Sequence, residues 1–250
     1  MRFSVLVGLC LMSGTVPGNA QTFSPGKQIE QSFESSDGGT VPYLLYVPPE
    51  LEREGERRWP VHLFLHGRGE SRGPLSRVAI WGPPRMAAGG KAFDFILVSP
   101  QCPTDDFWNS PAQQKRLVEL LDRIEAQFPV DQERIVVSGL SMGGYGTWQL
   151  ALDQPDRFAA VVPICGAGTP AEADRLTGLP VWAWHGDQDQ VVPLETTANM
   201  VQAIREAGGD QVRFTILEHI GHNSWSPAYA TPALWDWLAR QKRSPAADGK

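Results

Sequence analysis

The stretch IVVSGLSMGGYGTW, residues 135–148, is the part of the chain that decides the fold. Its first residues are apolar and β-branched, as in a buried strand, and a helical pattern follows. Between the two lies the spacing G-x-S-x-G, with Ser141 between Gly139 and Gly143. A sharp strand-to-helix turn exposes a serine hydroxyl, and the helix N-terminus favours negative charge beside it. The motif is short, so Ser141 is either a nucleophile or only a serine in a glycine-rich bend.

Apolar segments alternate with helical patterns along the rest of the chain. Six near-continuous apolar runs are typical of strands buried on both faces, and they cover 61–67, 93–100, 134–141, 158–166, 179–187 and 212–219. Helical patterns lie between or after them, at 110–128, 143–154, 194–209 and 230–241. This alternation predicts an α/β fold with a mostly parallel central sheet and helices on both faces. Two N-terminal runs, KQIEQSFES and VPYLLYVPPEL, suit an antiparallel pair at one edge.

Polar residues follow five of the predicted strands at the point where each strand ends. The five segments read HGRGE, PQCP, GLSMGG, HGDQD and EHIGHNSW, in chain order. In an open parallel sheet, ligands bind at the carboxyl ends of the strands. The clustering therefore predicts a functional site at that edge, with Ser141 among its residues.

A serine nucleophile needs a base, and the base needs an acid that orients it. His222 follows the last predicted strand and is favoured as the base over His219, which is closer to the strand end and suits a packed or surface position. Asp189 is favoured as the acid over Asp187, which directly follows a His-Gly turn and suits a role in organising the loop. The resulting chain order of Ser, Asp and His is that of nucleophile-elbow hydrolases.

An oxyanion hole requires two preorganised donors. The expected donors are the backbone N–H groups of Met142 and Arg68, while the guanidinium of Arg68 points either to solvent or to an anionic part of a substrate. His66 and His185 lie in His-Gly turns and are interpreted as structural. No acidic or cysteine cluster accompanies His62 and His66, so the prediction is a site without metal or cofactor.

Composition limits the classes of function. The chain has 250 residues, 42% of them hydrophobic, and a net charge of −6. This is enough for one globular domain with a sizeable core or two small ones, and an acidic chain is a poor partner for nucleic acid. Cys102 and Cys165 each follow a predicted strand, and two separate thiols are favoured over a disulfide.

The N-terminus predicts export. Arg2 precedes the apolar run FSVLVGLCLM, and small residues lead to a plausible cleavage site after Ala20. The apolar run is too short to span a bilayer, so a signal peptide at 1–20 is favoured over a retained anchor. The expectation is a periplasmic or secreted protein without a stable membrane anchor. Its single domain is expected at 21–243, followed by a flexible C-terminal tail at 244–250.

Several stretches together resemble the α/β-hydrolase fold. They are LFLHGRGE, ILVSPQCP, VDQERIVVSGLSMGGYGTW, VWAWHGDQDQVVP and GHNSW, and they extend from about 61 to 225 in the expected order. More narrowly, the chain is similar to secreted esterases and prolyl-oligopeptidase-like hydrolases related to polyhydroxybutyrate depolymerases and feruloyl esterases. The resemblance implies that Ser141, Asp189 and His222 are nucleophile, acid and base. The family often has a small residue at the position of Arg68, which implies a different substrate entrance here.

These observations favour an exported serine hydrolase that cleaves carboxylic esters through an acyl-enzyme intermediate. A prolyl-oligopeptidase-like serine peptidase and a non-catalytic glycan-binding module are the alternatives. Residues 167–178 leave no room for a large lid domain, so an open site and a bulky or polymeric ester substrate are expected. Trp108 and Trp225 lie in loops at the functional edge, where they either stack on a substrate or pack the loops.

Overall fold

An eight-stranded sheet forms the centre of the residues that the structure describes. The structure is a computed structural model, and it describes residues 23–51 and 56–243. The strands follow the order β1-β2-β4-β3-β5-β6-β7-β8. Their bounds are β1 Gln28–Glu34, β2 Thr40–Tyr46, β3 Trp59–Leu65, β4 Ile96–Pro100, β5 Val130–Leu140, β6 Ala160–Ile164, β7 Val181–Gly186 and β8 Val212–Leu217.

The pairing of the strands confirms the predicted mostly parallel sheet. All pairs from β4 through β3 to β8 are parallel, while β1 pairs with β2 and β2 with β4 in antiparallel fashion. The predicted antiparallel pair at the N-terminal edge is therefore present. Of this pair, β2 is the strand hydrogen-bonded to the parallel part, where Tyr43 lies opposite Pro100 and Tyr46 opposite Leu97.

Helices cover both faces of the sheet, as the alternating pattern predicts. They are α1 Gly82–Ala88, α2 Pro111–Gln127, α3 Met142–Asp153, α4 Leu194–Glu206, α5 Trp225–Ala230 and α6 Pro232–Arg240. Helix α2 begins where its sequence indicates, because the Ser110 hydroxyl accepts a hydrogen bond from the Gln113 N–H and a proline follows the cap. The expected helix at 230–241 begins slightly later, at Pro232, since a proline suits the first helical position.

Two separate hydrophobic clusters lie on the two sides of the sheet. One includes Leu121 of α2, Trp148 of α3 and Met200 of α4. The other includes Leu234 and Trp237 of α6, together with residues of α1 and α5. The central strands are buried on both faces for this reason, which explains why their sequences are apolar without alternation.

Some of the sequence predictions fall outside the described part of the chain. The predicted signal peptide at 1–20 and the predicted tail at 244–250 lie there, and the domain bounds at 21–243 stay a prediction. Within residues 23–51 and 56–243, none of the helices combines the length and the apolar character needed to cross a bilayer.

The carboxyl ends of the parallel strands meet at one edge, where β3 and α3 come into close contact. A Cβ atom added to Gly143 would lie 2.0 Å from the carbonyl oxygen of Leu65, the last residue of β3. A Cβ atom at Gly139 would lie 2.2 Å from the carbonyl oxygen of Gly143. Both glycines are therefore required because the backbones touch, and the first turn of α3 is held directly against the loop that follows β3.

Replacing Gly143 with alanine should destabilise the fold, since backbone atoms of β3 would have to move. We expect Gly143→Ala to lose about 3 kcal/mol of unfolding free energy in urea titrations. Gly178→Ala is the matched control, because a Cβ atom there meets nothing within 4 Å. Equal unfolding midpoints for the two variants would contradict the close contact.

A buried histidine of β3, His62, should make the stability of the fold depend on pH. His62 is 1% exposed and its Nε2 lies 2.7 Å from Ser138 Oγ. Burial lowers the pKa of His62 from 6.5 to about 3. Between those two pH values the unfolded chain binds a proton at His62 that the folded chain does not. The free energy of unfolding therefore decreases as the pH falls through this window.

Urea titrations between pH 4 and 6.5 measure this effect. His66 contributes in the same direction, since burial lowers its pKa to about 4. We expect His62→Gln to reduce the slope of unfolding free energy against pH by up to about 1.4 kcal/mol per pH unit. An unchanged slope would show that His62 takes up its proton without unfolding.

Candidate active site

Ser141 occupies a strained turn between β5 and α3. Its backbone has φ 52° and ψ −116°, and its N–H donates to the carbonyl of Ile164 at 2.9 Å. Within the described residues, only Cys165 and His219 share a positive φ among residues other than glycine. Such a conformation persists only where the surrounding structure holds it. Here the turn brings the Ser141 side chain to the carboxyl edge of the sheet.

His222 lies beside this hydroxyl. Its Nε2 is 2.9 Å from Ser141 Oγ, although the two residues are 81 positions apart. The Trp225 ring packs perpendicular to the imidazole, with 5.3 Å between the ring centroids. His219, the alternative base, is exposed, and its Nδ1 lies 3.3 Å from Gln188 Nε2. The structure therefore brings His222, and not His219, to the serine.

Asp189 lies on the other side of the same imidazole. Its Oδ2 is 2.7 Å from His222 Nδ1, while its Oδ1 accepts the backbone N–H groups of Val191 and Val192 at 2.8 and 3.0 Å. Burial acts to raise the pKa of Asp189, but the hydrogen bonds from His222, Val192 and Val191 outweigh it and hold that pKa below its usual value. Asp187, the alternative acid, is exposed.

The protonation pattern of His222 follows from these neighbours. An ionised Asp189 can only accept, so Nδ1 of His222 carries the proton and donates it to Oδ2. The lone pair of Nε2 is then directed at the Ser141 hydroxyl. This arrangement can remove a proton from Ser141 while Asp189 stabilises the imidazolium that forms.

Two backbone N–H groups are available at the same place. Met142 is the first residue of α3, and Arg68 is the first residue of a 3₁₀-helix at Arg68–Ser71. The N–H groups of a first helical turn have no acceptor inside the helix. Both residues line one open cavity of about 550 Å³, together with Phe107, Asn109, Ser110, Ser141 and Tyr145.

The Arg68 side chain binds the chain beside the cavity. Its guanidinium donates to the carbonyls of Asp106 and Thr104, both at 2.6 Å, and lies 4.3 Å from the centre of the Phe107 ring. Neither of the two directions expected from the sequence describes this placement. The side chain instead ties the 3₁₀-helix at Arg68–Ser71 to the loop at 104–107.

Trp108, for which the sequence left substrate stacking or loop packing open, packs the loops in the structure. Its ring is 1% exposed, packs against His66 at 5.2 Å between centroids, and donates from Nε1 to the His66 carbonyl at 3.0 Å. The preceding residue, Phe107, is 51% exposed and lines the cavity. Sequence reasoning missed Phe107, since two adjacent aromatic residues in a loop do not indicate which one faces inward.

Trp225 packs between two other rings. It lies edge to face with Trp81 at 5.9 Å and with His222 at 5.3 Å. The side chain is half-buried, so it supports the imidazole and leaves part of its surface accessible. Its contact with a substrate stays a prediction.

His66 has the structural role that its His-Gly turn indicates. Its Nε2 accepts the backbone N–H of Cys102 at 3.0 Å, so the ring proton is on Nδ1, which donates to the Gly67 carbonyl at 2.6 Å. Burial lowers the pKa of His66 to about 4, which keeps the ring neutral. The residue thereby shapes the loop that carries the Arg68 N–H.

The two cysteines of the described chain are separate thiols, as favoured from the sequence. Cys165 lies at the site: its Sγ and ligand atoms of Asp189 and His222 are all within 4.8 Å of one another. Within the described residues, these three form the group whose ligand atoms lie close enough to one another to hold a metal ion. Asp189 and His222 are already hydrogen-bonded to each other, and burial raises the pKa of the Cys165 thiol to about 12.

Comparisons with known proteins agree with this architecture. The profile of the phospholipase/carboxylesterase family matches residues 76–230. A putative esterase, NocK of Nocardia uniformis subsp. tsuyamanensis, is 28% identical over 206 residues, covering 70% of this chain and 59% of the relative. A probable feruloyl esterase C of Aspergillus terreus is 23% identical over 201 residues, covering 77% of this chain and 71% of the relative.

Among solved structures, a thermostable esterase superposes with a TM-score of 0.75 at 31% identity, covering 87% of this chain and 64% of that one. The chain thus spans 59% of NocK and 64% of the thermostable esterase, or about three fifths of each. The matched family, the eight-stranded sheet and the turn at Ser141 all lead to one conclusion: the chain belongs to the phospholipase/carboxylesterase family of α/β-hydrolases.

Proposed function

We propose that the protein is an exported serine hydrolase that cleaves carboxylic esters through a Ser-His-Asp triad. The observation that carries this proposal is the continuous hydrogen-bonded series from Ser141 Oγ through His222 to Asp189, at 2.9 and 2.7 Å. Family membership and the esterases among its relatives support ester hydrolysis. The predicted signal peptide supports export.

The proposed reaction begins with proton transfer from Ser141 Oγ to His222 Nε2 as the oxygen attacks the ester carbonyl. Negative charge develops on the carbonyl oxygen, and the N–H groups of Met142 and Arg68 stabilise it. The tetrahedral intermediate collapses, His222 donates its proton to the departing alcohol, and an acyl group stays on Ser141. Water, deprotonated by His222, then releases the acid by the same steps in reverse order.

The open shape of the site favours a bulky substrate over a small one that an enclosed pocket would surround. The cavity of about 550 Å³ is open, and the segment between β6 and β7 contains only a short 3₁₀-helix at Pro170–Leu176. Phe107 lines that cavity and is 51% exposed, and the Arg68 guanidinium lies 4.3 Å from the centre of its ring. We propose that this ring binds an apolar or aromatic part of the ester, as part of a larger acylated molecule.

Removal of the nucleophile tests the proposal. Ser141→Ala should reduce kcat/KM on short-chain p-nitrophenyl esters by at least about 10⁴-fold, because no attacking oxygen is left. A fluorophosphonate probe should label the wild-type protein and not the variant. Equal turnover by both proteins would contradict the serine mechanism, and faster cleavage of peptide amides than of esters would favour the peptidase alternative.

A matched pair of acids tests the assignment of Asp189. Asp189→Asn should lose roughly 10⁴-fold in kcat, since the amide favours the wrong tautomer of His222. Asp187→Asn changes a neighbouring exposed carboxylate and should keep the wild-type rate. A larger loss in Asp187→Asn than in Asp189→Asn would reassign the acid.

The contribution of Phe107 is tested with two classes of ester. Phe107→Ala should raise KM for hydroxycinnamoyl esters about five- to tenfold and leave acetyl esters nearly unchanged, because only the former offer a ring for stacking. Ile216→Ala serves as control, as Ile216 is a 48% exposed apolar residue in β8 that does not line the cavity. An equal rise in KM for both ester classes would argue against an aromatic subsite.

A further inference from the structure

His185 lies directly behind the proposed acid. It is the penultimate residue of β7 and is fully buried. Its Nε2 is 3.2 Å from Asp189 Oδ2 and 2.9 Å from the Val192 carbonyl oxygen. Its Nδ1 is 2.8 Å from the hydroxyl of Thr197, a buried residue of α4. The imidazole therefore links the loop that carries Asp189 to the helix that follows it.

The neighbours of the ring determine where its proton lies. Both neighbours of Nε2 are oxygens, so Nε2 carries a proton, which it donates to the Val192 carbonyl. On the other side, the Thr197 hydroxyl donates to the Gly166 carbonyl at 2.7 Å, and its oxygen lies 2.8 Å from Nδ1. The hydroxyl holds the imidazole in one orientation, because a rotated ring would lose its bonds on both sides.

Asp189 accepts three hydrogen bonds, and a second imidazole lies close to it. Its Oδ1 accepts two backbone N–H groups, from Val191 and Val192. Its Oδ2 accepts from His222 at 2.7 Å, and His185 Nε2, which donates to the Val192 carbonyl, lies 3.2 Å from the same oxygen. A carboxylate fixed in this way cannot rotate, and each further donor draws negative charge away from the oxygen that holds His222.

We propose that His185 is a positioning residue of this site. Its Nε2–H holds the Val192 carbonyl, so the Val192 N–H stays in place on Asp189 Oδ1, and the same nitrogen, 3.2 Å from Asp189 Oδ2, weakens the attraction between Asp189 and a protonated His222. The inference rests on the proposed function and assigns a role to a residue that the sequence indicated only as structural. Without His185, Asp189 would be less firmly placed and its Oδ2 would hold the His222 proton more strongly. His222 would then become a base that is protonated at higher pH.

Other titratable groups around Asp189 do not change charge in the relevant range. Cys165, at the end of β6, and Tyr145, in α3, both interact electrostatically with Asp189. Burial raises the pKa of each, so both are neutral from pH 5 to 8.

Two measurements on purified full-length variants test the role. One is the pH midpoint of the His222 ring resonance in NMR spectra, which requires no turnover. The other is the acid limb of kcat/KM. We expect His185→Leu to move both the NMR midpoint and the acid limb of kcat/KM upward by roughly half a pH unit, and to lower kcat about tenfold with KM little changed. His185→Gln keeps an N–H donor at similar reach, so the His222 midpoint and kcat should both stay close to their wild-type values.

A second variant covers the case in which His185→Leu does not fold. Thr197→Val removes the hydroxyl that orients His185 and touches neither Asp189 nor His222. It should move the His222 midpoint in the same upward direction by a smaller amount. His62→Gln is the control, since it replaces another buried imidazole whose hydrogen bond is with Ser138.

The outcomes separate this inference from the proposed function. A midpoint that is unchanged or lower in both His185→Leu and Thr197→Val would overturn the role of His185, whatever the enzyme hydrolyses. Absence of Ser141-dependent turnover in the wild-type protein would overturn the proposed function, while the NMR midpoints still decide whether His185 acts on the Asp189–His222 pair.

Discussion

The close contact between the first turn of α3 and the end of β3 is the constraint on which the site depends. There is no space for a side chain between Gly143 and the Leu65 carbonyl, so the helix N-terminus and the loop after β3 occupy fixed positions relative to each other. Ser141 and Met142 belong to one of these segments and Arg68 to the other. A single backbone contact therefore sets the relative placement of the proposed nucleophile and of both proposed oxyanion donors.

Two buried residues near this contact, His66 and Asp189, have hydrogen-bond partners, and so does the exposed guanidinium of Arg68. His66 is neutral and bonds two backbone groups of adjacent loops. Asp189 is ionised and receives donors on both oxygens, which offsets the cost of burying its charge. The Arg68 guanidinium bonds backbone carbonyls instead of a carboxylate. Loops built on such contacts are rigid, and a rigid site suits electrostatic stabilisation of a transition state.

Much of the site could be predicted because chemistry and strand order constrain each other. Ser141, Asp189 and His222 each follow a strand, and parallel strands end at one edge, so residues far apart in the chain meet there. The preference for Asp189 over Asp187 agrees with the geometry, since only Asp189 points inward and is followed by N–H groups that bind it. The sequence left two roles open for Trp108, because a loop aromatic residue faces the interior or the solvent according to packing, which no local pattern records.

The sequence by itself determined the strand and helix order, the sharp turn at Ser141 and the residue types available at the carboxyl edge. These properties depend on hydrophobic periodicity and on local backbone preferences, which short segments contain. Only the tertiary structure decided that Phe107 lines the cavity, that the Arg68 side chain clamps the neighbouring loop, and that His185 and Thr197 stand behind Asp189. Those contacts join segments that lie far apart or in irregular loops, and their geometry is set by how the helices and loops pack on the sheet.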